Sequence, residues 1–158
     1  MKYACELEID QPRQKVADLF KDPENAKHWQ TGLLEREQLL GRPGEVGAKA
    51  RLKFVMGKRT MEMTETVTRS NMPDEMAGSF EGSMGWNEVS NRFVPIGEGK
   101  TRLVTTSEFR FSGFMKIMAF LMQGLFKAQT RKLMRNFKAF VETGASVAGT
   151  ESPTASPA

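Results

Sequence analysis

The sequence predicts an α+β domain, a seven-stranded curved antiparallel sheet wrapped around one long C-terminal helix, and three observations point to it. Segments of alternating apolar and polar residues recur between short, turn-rich connectors. Two short helical segments interrupt that series after its first strand. A long helical run, Phe114 to about Thr143, then closes it. A sheet curled around a helix encloses space lined by both, so the fold class itself implies a cavity.

The first strand is expected over Tyr3–Ile9, where Tyr3, Cys5, Leu7 and Ile9 share one side and Glu6 and Glu8 the other. Asp10 or Gln11 then caps a helix whose first turn suits Pro12, and Val16, Leu19 and Phe20 form its apolar side. Asp22-Pro23 restarts the chain as a second short helix through Trp29, ending before Gly32. Strands follow at roughly Leu34–Leu40, Ala48–Met56, Arg59–Arg69, Glu75–Gly82, Trp86–Pro95 and Lys100–Phe111. The connectors around Gly41–Gly44, Gly57-Lys58, Asn71–Asp74, Ser83–Gly85 and Gly97–Gly99 suit hairpins. Parallel strands need crossovers of a dozen or more residues, for which there is no room.

On a wheel of about 100° per residue, Phe126, Leu133, Phe137 and Phe140 of the last helix fall in one narrow sector. Lys127, Arg131, Arg135 and Lys138 gather on another side. Upstream, Ile117, Phe120 and Leu121 fall near the later basic side while Met115 and Met122 face the sheet. Phe114–Phe126 is therefore apolar almost all round and is expected to be covered on more than one side, with a bend at Gly124. From Gly144 onward Gly, Ala, Ser, Thr and Pro dominate, and a disordered tail is expected over 144–158 after a single domain of residues 1–143.

Composition narrows the functional classes. A chain of 158 residues with 39% hydrophobic and 27% charged residues reads as one soluble domain. A lone cysteine, Cys5, excludes an intramolecular disulfide, and Glu6, Glu8 and Asp10 stand where the apolar core of a signal peptide would be, so a cytoplasmic location is expected. The longest unbroken apolar run, Ile117–Met122, is far below the roughly 20 residues of a membrane span. A net charge of +4 with no RNA-binding aromatic motif argues against nucleic acid as partner. One histidine, His28, and one cysteine make no recognisable metal site, and no glycine-rich phosphate loop occurs; no cofactor is expected. His28 lacks an accompanying Ser, Cys or Asp pattern and reads as a helix-end residue.

The order of elements, together with Asp22-Pro23-Glu24 leading to Trp29, Pro43-Gly44-Glu45-Val46-Gly47-Ala48, Met63-Thr64-Glu65-Thr66-Val67 and Arg92-Phe93-Val94-Pro95, resembles the SRPBCC superfamily. That group includes START lipid-transfer domains and the birch-pollen allergen family. Within it, the resemblance is to the polyketide cyclase/dehydrase and lipid-transport branch and covers about residues 1–143. It implies a helix-grip fold and a hydrophobic small molecule held between sheet and helix.

Strand alternation supplies candidate wall residues. Met61, Met63, Glu65 and Val67 share one face of the fourth strand, Asn87, Val89, Asn91 and Phe93 one face of the sixth, and Leu103, Thr105, Ser107 and Phe109 one face of the seventh. A ligand-binding set of Met61, Met63, Phe80, Val89, Asn91, Phe93, Thr105, Ser107, Phe109, Met122 and Phe126 follows: apolar, with a few orienting hydrogen-bonding groups. The chain's 11 methionines suit an adaptable wall, and also an ordinary core. Glu65 among apolar neighbours is the candidate catalytic acid or base, with Asn91 and Ser107 polarising a carbonyl; as a structural carboxylate it would instead bond a buried partner or reach water. Three functions remain open. They are an apolar-ligand carrier or sensor, a cyclase/dehydratase-type enzyme on a polyketide-like carbonyl compound, and an interaction module in which Phe114–Phe126 and the basic face of Lys127, Arg131, Arg135 and Lys138 meet a membrane or protein partner. Phe114–Phe126 reads as a cavity lid, a membrane contact or a dimer interface. Monomer and homodimer both fit.

Overall fold

A computed structural model describes residues 1–150. Seven strands run β1 Lys2–Ile9, β2 Leu33–Leu40, β3 Lys49–Met56, β4 Arg59–Asn71, β5 Glu75–Gly82, β6 Gly85–Pro95 and β7 Thr101–Arg110. The helices are α1 Arg13–Lys21, α2 Ala26–Trp29 after a 3-10 turn at Pro23–Asn25, α3 Phe114–Leu121 and α4 Gln123–Thr143. All strand pairs are antiparallel, in the order β1-β7-β6-β5-β4-β3-β2. The expected α+β helix-grip architecture is what forms.

Local chemistry sets the element ends. The Asp22 carboxylate accepts from the Glu24 N–H at 3.0 Å and starts the 3-10 turn. Neither Asp10 nor Gln11 caps α1; Pro12, extended at ψ 146°, takes the cap position without a side-chain bond. Gly144 ends α4 at φ 74°, its N–H donating to the Phe140 carbonyl at 2.9 Å. Register shifts at Leu33/Glu35, Gln38/Leu40 and Val67/Arg69 bend and twist the strands locally. Gly82 is required on β5, where a Cβ would come within 2.8 Å of the Glu62 carbonyl oxygen.

The core gathers where α1, α2 and the C-terminal half of α4 close on β1, β6 and β7. Ile9, Val16, Phe93, Leu103 and Phe137 are fully buried there. Phe20 is its hub, with ring centroids 5.4 Å from Trp29, 5.2 Å from Phe93 and 5.4 Å from Phe137. Residues 144–150 turn back on α2: the Val147 N–H donates to the His28 carbonyl and Ser146 Oγ bonds His28 Nδ1 at 2.8 Å. The tail expected from Gly144 lies, from residue 151 on, outside the described residues.

Two expectations about the last helical run are corrected. The chain breaks at Met122 (φ −94°, ψ 6°), not at Gly124. The apolar first half is not covered on several sides: Ala119 alone is buried in α3, and Phe114, Ile117, Phe120 and Leu121 stand 61–74% exposed. The break makes two helices of the run, and the first of them, α3, leaves its large apolar side chains in solvent.

Candidate functional site

Between the concave sheet face and α4 lies a cavity of about 500 Å³. Cross-strand register builds its far wall. Phe54 of β3 pairs with Met61, Leu52 with Met63 and Ala50 with Glu65, so one face of β3 and β4 presents phenyl, thioether and carboxylate side by side. Met76, Gly78 and Phe80 of β5 continue that face opposite Asn91, Val89 and Asn87 of β6. Helix α4 contributes Phe126, Thr130, Leu133 and Phe137, and Trp29 closes the α2 side.

Of the residues expected to form the site, Glu65, Met61, Met63, Phe80, Val89, Asn91, Thr105, Phe109 and Phe126 line this cavity. Three of the expected set do not. Phe93 is packed into the core, covered by the Phe20 ring. Ser107 is buried, and its cross-strand neighbour Tyr3 lines the cavity in its place. Met122 sits at the helix break, exposed to solvent.

Four hydrogen-bonded sets stand among the polar lining residues, one of them Asn136 Nδ2 donating to Thr31 Oγ1 at 3.1 Å beside α2. Glu65 Oε2 lies 3.5 Å from Arg36 Nη2, each side chain about four-fifths buried, and Arg36 Nη1 donates to Gln38 Oε1 at 2.9 Å. Burial raises the Glu65 pKa above the usual carboxylate range, and the charge and hydrogen bond of Arg36 oppose that rise. Thr105 Oγ1 donates to Asn91 Oδ1 at 2.8 Å. The Tyr3 and Thr130 hydroxyls share a hydrogen bond at 2.9 Å. Burial lifts the Tyr3 phenol above its usual pKa, against hydrogen bonds with Thr130 and Ser107, so it stays a neutral donor or acceptor at the cavity edge.

Sequence reasoning missed Arg36. In Leu33-Leu34-Glu35-Arg36-Glu37 three consecutive charges blur the alternation, and only the register Arg36↔Leu52 places its side with that of Met63 and Glu65. Trp29 Nε1 was missed as well, a buried donor without a hydrogen-bond partner among the described residues. His28 stacks on Phe140 at 5.2 Å and bonds Ser146, away from the cavity wall. Among the described residues no group of three or more His, Cys, Asp or Glu could hold a metal ion.

The fold has relatives among solved structures. A crystal structure of TTHA0849 from Thermus thermophilus superposes with a TM-score of 0.74 at 20% identity, over 92% of this chain and 100% of that one. A truncated norcoclaurine synthase from Thalictrum flavum gives 0.71 at 15% identity over 90% of this chain and 94% of that one. DynU16, a protein of the dynemicin biosynthetic locus, gives 0.73 at 16% identity, over 96% of this chain and 51% of DynU16. At such identities the likeness is one of fold. No curated protein sequence matches the chain. The family described as "Polyketide cyclase / dehydrase and lipid transport" matches residues 4–142, nearly the whole of the described fold, and the chain belongs to that family.

Proposed function

We propose that the protein binds an apolar small molecule of lipid or polyketide-like character in the cavity between sheet and α4, as a carrier or sensor. The cavity itself carries this reading. About 500 Å³ walled by Met61, Met63, Met76, Phe54, Phe80 and Phe126 is in the size range of small-molecule sites, roughly 300–1,000 Å³. Thioethers adapt to irregular ligand shapes, and polar pairs such as Glu65–Arg36 and Asn91–Thr105 supply orienting groups in the wall. The family description, which joins cyclase chemistry with lipid transport, supports the same ligand class.

The test is native mass spectrometry of protein purified without detergent, followed by solvent extraction, on wild type and Val89→Trp. Val89 lines the cavity midway along β6, so an indole there fills ligand space. The expected result is a near-stoichiometric added mass in the wild type that Val89→Trp lacks. A wild type that is empty, and whose melting temperature no apolar ligand raises, overturns the proposal.

The position of Glu65 favours a second reading. A carboxylic acid with a raised pKa, facing the cavity and held by a guanidinium, is equipped to move a proton to or from a carbonyl compound. In that reading Asn91 remains beside the substrate to polarise the carbonyl; Ser107, which does not reach the cavity, has no part. Glu65→Gln then abolishes turnover of a polyketide-like β-carbonyl substrate with the fold intact, whereas a carrier retains its ligand.

A further inference from the structure

The apolar helix α3 is the least explained element of the fold. Eight residues, Phe-Met-Lys-Ile-Met-Ala-Phe-Leu, include six large apolar side chains and one charge, Lys116. Phe114, Phe120 and Leu121 are more than 70% exposed. A contiguous exposed patch of this kind marks an interaction surface.

Its surroundings carry the matching observations. From Phe109 to Val141 the chain contains seven basic residues and no acidic one, which exceeds the +4 of the entire chain and leaves the rest of the protein net acidic. Arg131 and Arg135 on α4 are exposed and form no ion pair among the described residues. Strand register brings the β3–β4 and β5–β6 hairpins to the sheet end from which α3 departs. There Met56 stands beside the basic pair Lys58-Arg59, and the Arg110 guanidinium lies 4.2 Å over the Trp86 ring. Met56 and Met84 both line the cavity and remain 40% and 58% exposed, so the cavity opens at this end.

We infer that α3, with the basic run that follows it, docks on an anionic lipid bilayer and sets the cavity mouth against the membrane surface. An exposed apolar helix followed by unpaired cations is the composition of an interfacial membrane element: phenyl and aliphatic groups enter the acyl boundary while Lys and Arg meet lipid phosphates. Among the described residues no helix is long and apolar enough to cross a membrane, so the contact is peripheral. Charge also decides against a second copy as occupant. A two-fold pairing through this face opposes one basic run to another, and among the described residues only Arg110 and Lys138 of its seven cations have an acidic partner, Glu108 and Glu142. The contact with the bilayer does not depend on what the cavity holds, so it goes beyond the ligand-binding proposal and stands or falls separately.

The experiment is flotation of the full chain with vesicles of phosphatidylcholine alone and of phosphatidylcholine mixed with phosphatidylglycerol, at low and high salt. The wild type is expected to float with the anionic vesicles only, and less at high salt. Phe120→Asp and the double reversal Arg131→Glu/Arg135→Glu are each expected to lower the bound fraction about tenfold at unchanged melting temperature, since all three side chains are exposed. Three results overturn the inference: no flotation with anionic vesicles, equal flotation with neutral ones, or flotation that Phe120→Asp leaves intact. A wild-type dimer in solution that Phe120→Asp makes monomeric, without vesicle binding, assigns the face to a second copy instead.

Discussion

Arg36 Nη2 stands 3.5 Å from Glu65 Oε2 although the two residues lie on strands separated by a third. Arg36 on β2 pairs with Leu52, and Glu65 on β4 pairs with Ala50. The small Ala50 side chain, fully buried, lets the guanidinium cross β3 to the carboxylate. The result is a partly buried ion pair in a mostly apolar cavity wall, where each charge depends on the other for its solvation.

The pair makes stability depend on pH in a specified direction. The folded protein holds the Glu65 proton to higher pH than the unfolded chain does, because burial outweighs the opposing Arg36. Between the unfolded and folded pKa values the folded state therefore binds more protons, and this group's contribution to stability falls as pH rises through that window. Urea unfolding as a function of pH is expected to show a decline, from the ordinary carboxylate range upward, that Glu65→Gln removes. Arg36→Met takes away the opposing charge, so the decline extends to higher pH. Removing one partner of a pair buried this deeply costs up to about 3–5 kcal/mol at neutral pH. A Glu65→Gln profile parallel to wild type throughout is the result that excludes this account.

Two phenylalanines on the last helical run should differ sharply. Phe137 is 1% exposed and packs edge-on to Phe20 and Trp29 at 5.4 and 5.2 Å. Phe137→Ala removes a ring from a closed aromatic cluster and is expected to cost about 3–5 kcal/mol in chemical denaturation. Phe120→Ala, at 74% exposure, is expected to change stability by less than about 0.5 kcal/mol. Comparable losses at the two positions would mean that α3 is packed in solution.

How far the sequence reveals this arrangement depends on what each signal encodes. Period-two alternation identifies which residues share a strand face, and Met61, Met63, Glu65, Val89 and Asn91, grouped on that basis, all line the cavity. Alternation carries no information on position along the strand. Phe93 and Val89 share a face, but Phe93 lies where α1 brings Phe20 down on the sheet, so one is core and the other cavity wall. Arg36 is hidden for another reason: a long side chain acts two strands away, and only register shows that reach. A hydrophobic wheel likewise says that α3 needs a cover without saying whether the cover lies in the same chain.

The Asn91–Thr105 pair tests whether the polar groups of the cavity act as coupled units. Thr105 is 5% exposed and donates to Asn91 Oδ1 at 2.8 Å across β6 and β7, where the two residues are direct register partners. Asn91→Leu strands a buried hydroxyl and is expected to cost about 1–3 kcal/mol, while Thr105→Val, which leaves the Asn91 amide facing the cavity, costs less, about 1 kcal/mol. The double variant restores apolar matching, so its loss is expected to fall short of the sum by about 0.5–2 kcal/mol in urea unfolding. Strict additivity would show that the two groups are solvated independently, each by water in the cavity. Coupling would show that the site is organised before any ligand enters, because the amide then has a fixed orientation and presents its N–H donors, the oxygen being committed to Thr105, to whatever the cavity binds.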